Sequence, residues 1–183
     1  VDPGKRERIY TMVKKMKDAG VPIDGIGMQG HYNIYFPDEE ALEKTINRFS
    51  EIVNTIHITE LDLRTNMESG GQLMFARGEA KPQAPYIATI QEDQYNRIFK
   101  IFRKHKDVIK NVTFWNLSDK DSWLGVNNHP LPFDENFKAK RSLAVIRDFD
   151  VARDNYVPKN DWVANPMNQP GQEYPQVNSE GFA

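Results

Sequence analysis

Ile9, Met12, Val13 and Met16 recur at i, i+3, i+4 and i+7, so one side of residues 2–20 is apolar and the spacing predicts an amphipathic helix. Asp2 is its candidate N-cap, Pro3 takes the first helical position and Gly20 is the stop. After the turn residues Val21-Pro22-Ile23-Asp24, the segment Gly25-Ile26-Gly27-Met28-Gln29-Gly30-His31 reads as a short buried strand. A second helix follows, with acids Asp38, Glu39 and Glu40 in its first turn and Leu42, Ile46 and Phe49 on one face. Residues 56–63 form the next predicted strand. A long loop with Gly70-Gly71, Pro82 and Pro85 then leads to a third helix marked by Tyr95, Ile98, Phe99 and Phe102. Residues 112–117 are a third strand, and a loop with Gly125, Pro130 and Pro132 precedes a last helix around 139–146.

Helix and strand alternate throughout, which predicts parallel α/β units joined by right-handed crossovers. From Asp150 onward Pro158, Pro166, Pro170 and Pro175 punctuate a polar stretch with neither period. Residues 1–150 are therefore expected to be the folded unit and 151–183 an irregular C-terminal tail. The balance of 24 Lys plus Arg against 26 Asp plus Glu, with basic residues scattered among acids, gives no attraction to nucleic acid or to anionic lipid. Insertion into a membrane is not expected either, because no apolar run approaches the roughly 18 residues of a spanning helix. The absence of cysteine removes disulfides and thiolate chemistry but leaves the compartment open. Val1-Asp2-Pro3-Gly4 shows neither an initiator Met nor a signal peptide, so the chain reads as cut from something longer.

Gly25-Ile26-Gly27-Met28-Gln29-Gly30 fits the G-x-G-x-x-G pattern, but no strand precedes it and no helix opens after it, as dinucleotide binding requires. In the second strand, alternation places Glu60 and Asp62 on one side and Thr59, Leu61 and Leu63 on the other. In an α/β barrel the C-terminal end of a strand, where these two acids stand, is where catalytic groups sit, although solvated strand-end acids are the plain alternative. Gln29 and His31 project together by the same parity. His57 and Glu60 could suggest a metal pair, but three steps along a regular strand point them to opposite sides, and no metal is expected. Trp115 and Trp123 flank the segment 116–122, as core pieces or as flat platforms for a sugar ring. The sequons at Asn111 and Asn116 lie in a strand and at its end and are read as chance.

Gly27-Met28-Gln29-Gly30-His31, Ile58-Thr59-Glu60-Leu61-Asp62, and Phe114-Trp115-Asn116-Leu117-Ser118-Asp119 with Ser122-Trp123 resemble, in order and spacing, the last three strand motifs of glycoside hydrolase family 10, the endo-1,4-β-xylanases. The resemblance covers about residues 4–150. It implies the C-terminal part of a (β/α)8 TIM barrel, about three parallel strands with four helices, and retaining hydrolysis of xylan or xylo-oligosaccharides without a cofactor. It makes Glu60 the nucleophile, His31 and Asp62 the partners that hold that carboxylate, Gln29 a polar contact nearby, and Trp115 and Trp123 walls of the sugar sites. It also implies secretion or a cell-envelope location, since the substrate is a polysaccharide.

The departure from the family is equally specific. Retention needs a second carboxyl group roughly 5 to 5.5 Å from the first. In the family this acid/base glutamate ends the fourth strand in a Trp-Asp-x-x-Asn-Glu type motif, which the chain lacks. The expected partner is therefore the N-terminal half of the same barrel, as another chain or a missing segment. The rival expectation is a non-catalytic xylan-binding or degenerate scaffold segment.

Overall fold

The computed structural model describes residues 1–65 and 78–147. The expected tail at 151–183 and the Gly70-Gly71 part of the long loop lie outside the described residues. Helix α1 spans Pro3–Asp18 and α2 spans Glu39–Ser50. Asp2 caps α1 by accepting the Lys5 N–H at 2.6 Å, and Asp38 caps α2 by accepting from Ala41 at the same distance. The chain leaves α1 through Gly20 at φ 84°, a conformation that costs glycine nothing. Of the stripe predicted on α1 only Val13 is buried. Met12 and Met16 stay exposed, because the helix packs mainly against α2 along one flank.

The first predicted strand is two strands. β1, Gly25–Met28, and β2, His31–Asn33, are separated by Gly30 at φ 86°, where a Cβ would come within 2.9 Å of the Ile58 side chain. Both pair in parallel with β3, Thr55–Arg64, which on its other edge pairs in parallel with β4, Ile109–Phe114. β3 is thus the centre of the sheet. β4 starts and stops three residues earlier than its pattern predicts. Its polar Lys110 and Asn111 are exposed on an edge strand, and Asn116 at φ 100° cannot continue an extended chain.

β3 also departs from regular alternation. The register runs Met28↔Ile58 and His31↔Asp62 on one side, Ile58↔Val112 and Leu61↔Phe114 on the other, so β3 carries one more residue than either neighbour beyond Ile58. Ile56 and Ile58 before this bulge, and Leu61 and Leu63 after it, consequently all join the same helix-side core. Thr59, expected with Leu61 and Leu63, instead turns its hydroxyl to the Met28 carbonyl at 3.4 Å.

That core is completed by Leu42, Ile46 and Phe49 of α2, by Tyr95, Ile98, Phe99 and Phe102 of α3, Pro85–Lys104, and by Val145 and Ile146 of α4, Ser142–Arg147. α4 begins three residues later than predicted, since Ala139 bridges to Phe133 and the Lys140 N–H bonds to the Pro132 carbonyl. The opposite side of the sheet is open, with Gly25, Gly27, His57, Asn111 and Thr113 exposed. The result is an unclosed parallel sheet with helices on one face. Among the described residues no helix is long and apolar enough to cross a membrane.

Candidate active site

The pairing of β2 with β3 sets His31, the first residue of β2, directly opposite Asp62, near the C-terminal end of β3. The His31 ring stands between two carboxylates, Nδ1 3.0 Å from Asp62 Oδ2 and Nε2 3.2 Å from Glu60 Oε2. Both contacts are hydrogen bonds to ionised carboxylates only when both ring nitrogens carry protons. Trp123 Nε1 donates to the same Asp62 oxygen at 2.8 Å, and its ring meets His31 edge-on with centroids 5.1 Å apart. Asp62 is only 1% exposed, and its Oδ1 has no hydrogen-bond partner among the described residues. Burial raises the Asp62 carboxyl above its ordinary range, against the opposing pull of the Trp123 hydrogen bond and of His31.

Trp115, just past β4, is 43% exposed, and its N–H bonds to the Leu61 carbonyl at 3.0 Å. Trp123 is 37% exposed, so each indole offers surface at the same end of the sheet as Glu60. Gln29 is joined to the group through its backbone, its carbonyl accepting the Glu60 N–H at 2.7 Å. Its side chain is exposed and bonds to none of His31, Glu60 or Asp62. The other histidines lie elsewhere: His57 on the open sheet face, His105 beside Glu43 at 3.2 Å, and His129 3.8 Å from Asp119. The bulge removes the parity argument that set His57 and Glu60 on opposite sides. Among the described residues no group of three or more His, Asp or Glu side chains is placed to hold a metal ion.

Residues 2–149 match the family model described as glycosyl hydrolase family 10. The chain belongs to that family. It is 86% identical over all 183 residues to the endo-1,4-beta-xylanase/feruloyl esterase of Xylanibacter ruminicola, of which it covers 25%. It is 38% identical over 144 residues, 75% of its length, to an endo-1,4-beta-xylanase of Geobacillus stearothermophilus, covering 42% of that protein. Among solved structures, a psychrophilic family 10 endo-beta-1,4-xylanase superposes with a TM-score of 0.73 at 54% identity, over 81% of this chain and 44% of that one. The chain thus spans less than half the length of these relatives, and its open sheet is part of a family 10 TIM barrel.

The groups that hold this family 10 site in place were not evident in the sequence. Asp119, fully buried, accepts the Leu131 N–H at 2.8 Å and the Lys140 ammonium at 3.1 Å. Lys140 also donates to the His129 carbonyl at 2.6 Å, and burial lowers its pKa, opposed by Asp119. Gln91 of α3 reaches the carbonyls of Leu63 and His129, and the Tyr95 hydroxyl donates to Pro130. These bonds tie the loop carrying Trp123 to the end of β3. One signal was available: Gln91 stands at the helical spacing of Tyr95, Ile98 and Phe102, and a polar side chain on an apolar stripe has a buried partner to find.

Proposed function

We propose that this chain is the C-terminal portion of a retaining endo-1,4-β-xylanase, with residues 1–150 as its part of the barrel and 151–183 as an irregular tail. Glu60 is the nucleophile. Its carboxylate attacks the anomeric carbon of a xylose unit while the bond to the leaving sugar breaks, and a general acid from the N-terminal half protonates the departing oxygen. The same group then deprotonates a water that hydrolyses the glycosyl-enzyme ester, which gives retention.

The observation that carries this reading is the His31 ring held between Glu60 and Asp62 at a strand C-terminus of a family 10 chain. His31 steadies the attacking carboxylate, and Asp62 with Trp123 steadies His31. Trp115 and Trp123 stack on sugar faces, and Gln29 supplies a polar contact. The substrate is xylan or a xylo-oligosaccharide, and the required partner is the N-terminal half of the barrel, which would cover the open face of the sheet. A polysaccharide substrate places the enzyme outside the cell or in its envelope. The name of the Xylanibacter ruminicola relative also includes feruloyl esterase, and the geometry described here speaks to the xylanase half of that name.

The lack of a Trp-Asp-x-x-Asn-Glu type motif favours a second reading for this chain in isolation, that of a xylan-binding or degenerate scaffold segment. Two measurements separate the readings. Glu60→Gln in the complete polypeptide, which keeps the shape but cannot attack, is expected to lower turnover at least about a thousandfold with an unchanged melting temperature. Retention of a tenth of the activity would remove Glu60 from the nucleophile role. The 183 residues alone are expected to release no sugar from xylan, and turnover by them would show that the acid lies within this chain.

A further inference from the structure

We infer that Asn116 is a positioning residue for the two tryptophans of the site, an inference that rests on the xylanase reading above. β4 ends at Phe114, and the Trp115 N–H still bonds to the sheet through the Leu61 carbonyl. The next residue, Asn116, has φ 100°, in the left-handed region where glycine is at ease and a side chain is not. Asn116 is exposed, so no packing forces it there. Its side chain, however, reaches across the following loop, Nδ2 donating to the Asp121 carbonyl at 2.9 Å. Asp121 is fixed in turn, its N–H on the Ser118 carbonyl at 3.0 Å and its Oδ2 accepting the Ser118 hydroxyl at 2.8 Å. Two residues further lies Trp123, whose indole N–H is held by Asp62.

The Asn116 amide therefore closes the loop between Trp115 and Trp123 and sets how far apart their exposed faces stand. Asparagine is among the few side-chain-bearing residues that tolerate such a backbone, and it brings the donor that glycine lacks. A turn needing only its backbone conformation would be served by glycine without strain. The side chain acts through the loop and needs no contact with the sugar.

The test uses Asn116→Gly and Asn116→Asp in the complete polypeptide. Glycine removes strain and donor together, whereas aspartate tolerates the backbone but cannot donate. Both variants are expected to raise KM for xylo-oligosaccharides about three- to tenfold, the effect of one hydrogen bond, with kcat within about twofold. The glycine variant is expected to melt no lower than the parent. A glycine variant with unchanged KM would overturn the inference, as would one whose KM and melting temperature deteriorate together. Calorimetric titration of xylo-oligosaccharide into the Glu60→Gln background separates the two layers of the argument. Binding weakened by Asn116→Gly there supports the positioning role, binding left unchanged overturns it, and a background that binds no oligosaccharide overturns the xylanase reading itself.

Discussion

Asp62 and Asp119 are both buried aspartates at the same end of the sheet, yet their surroundings are opposite. Asp119 has a hydrogen bond on each carboxylate oxygen, one from the Leu131 backbone and one from the full positive charge of Lys140. Asp62 concentrates its partners on one oxygen, shared by His31 and Trp123, and leaves the other without one among the described residues. An acid surrounded like Asp119 fastens loops together. An acid surrounded like Asp62 is kept short of partners, and the groups it does hold are His31, which also meets Glu60, and the partly exposed Trp123. Burial of a carboxyl serves the scaffold in the first case and, on the proposed function, the chemistry in the second.

The sharpest way to break this contrast is Asp119→Ala. It leaves a buried ammonium without its counter-charge and is expected to destabilise the protein by about 3 to 5 kcal/mol in denaturant unfolding. Replacing Asp119 and Lys140 together by Leu and Met should recover most of that loss. If the single change is tolerated, Asp119 is no anchor.

The next largest effect belongs to Asp62→Asn in the complete polypeptide, where turnover is expected to fall about a hundredfold while stability moves by less than about 1 kcal/mol. Equal losses of turnover and stability would make the two aspartates the same kind of residue.

The smallest effect is in the pH dependence of stability. Burial holds the Asp62 carboxyl above its ordinary range, so the native state keeps a proton that the unfolded chain has released. Stability contributed by this group therefore falls as pH rises from the ordinary carboxylate value through the raised one. Melting curves between pH 4 and 7 should show the Asp62→Asn variant gaining on the parent with rising pH, by a degree or two on the order expected for small stability changes. A constant offset across that range would mean that Asp62 titrates normally.

Local rules carried the sequence a long way in this chain. Asp2, Pro3 and Gly20 bound α1 as predicted, because caps and stops act within a few residues. The three-motif resemblance located the family, which the match over residues 2–149 bears out. Alternation along β3 failed, because a bulge depends on how many residues the neighbouring strands place opposite, which a single strand's pattern does not encode. Glu60 and Asp62 do share a side, as their common contact with the His31 ring shows. The anchors Asp119 and Lys140 were hidden for a related reason. Polar residues in loops have the composition of solvated ones, and only the arrangement of Leu131, His129 and Phe133 around them brings them indoors.

The extra residue in β3 also measures how close two fates of this segment lie. Ile56 and Ile58 lie in the helix-side core, and Glu60 and Asp62, although an even number of residues further on, meet His31 on the other face. The same residues paired in regular alternation, without the bulge, would turn Glu60 and Asp62 toward the helices and bring Leu61 and Leu63 out to the opposite face. Loss of one codon between Ile58 and Leu61 would remove the bulge and leave Leu61, Asp62 and Leu63 facing as they do now, whereas loss of the His57 codon would throw Ile56 out of phase with the helix-side core.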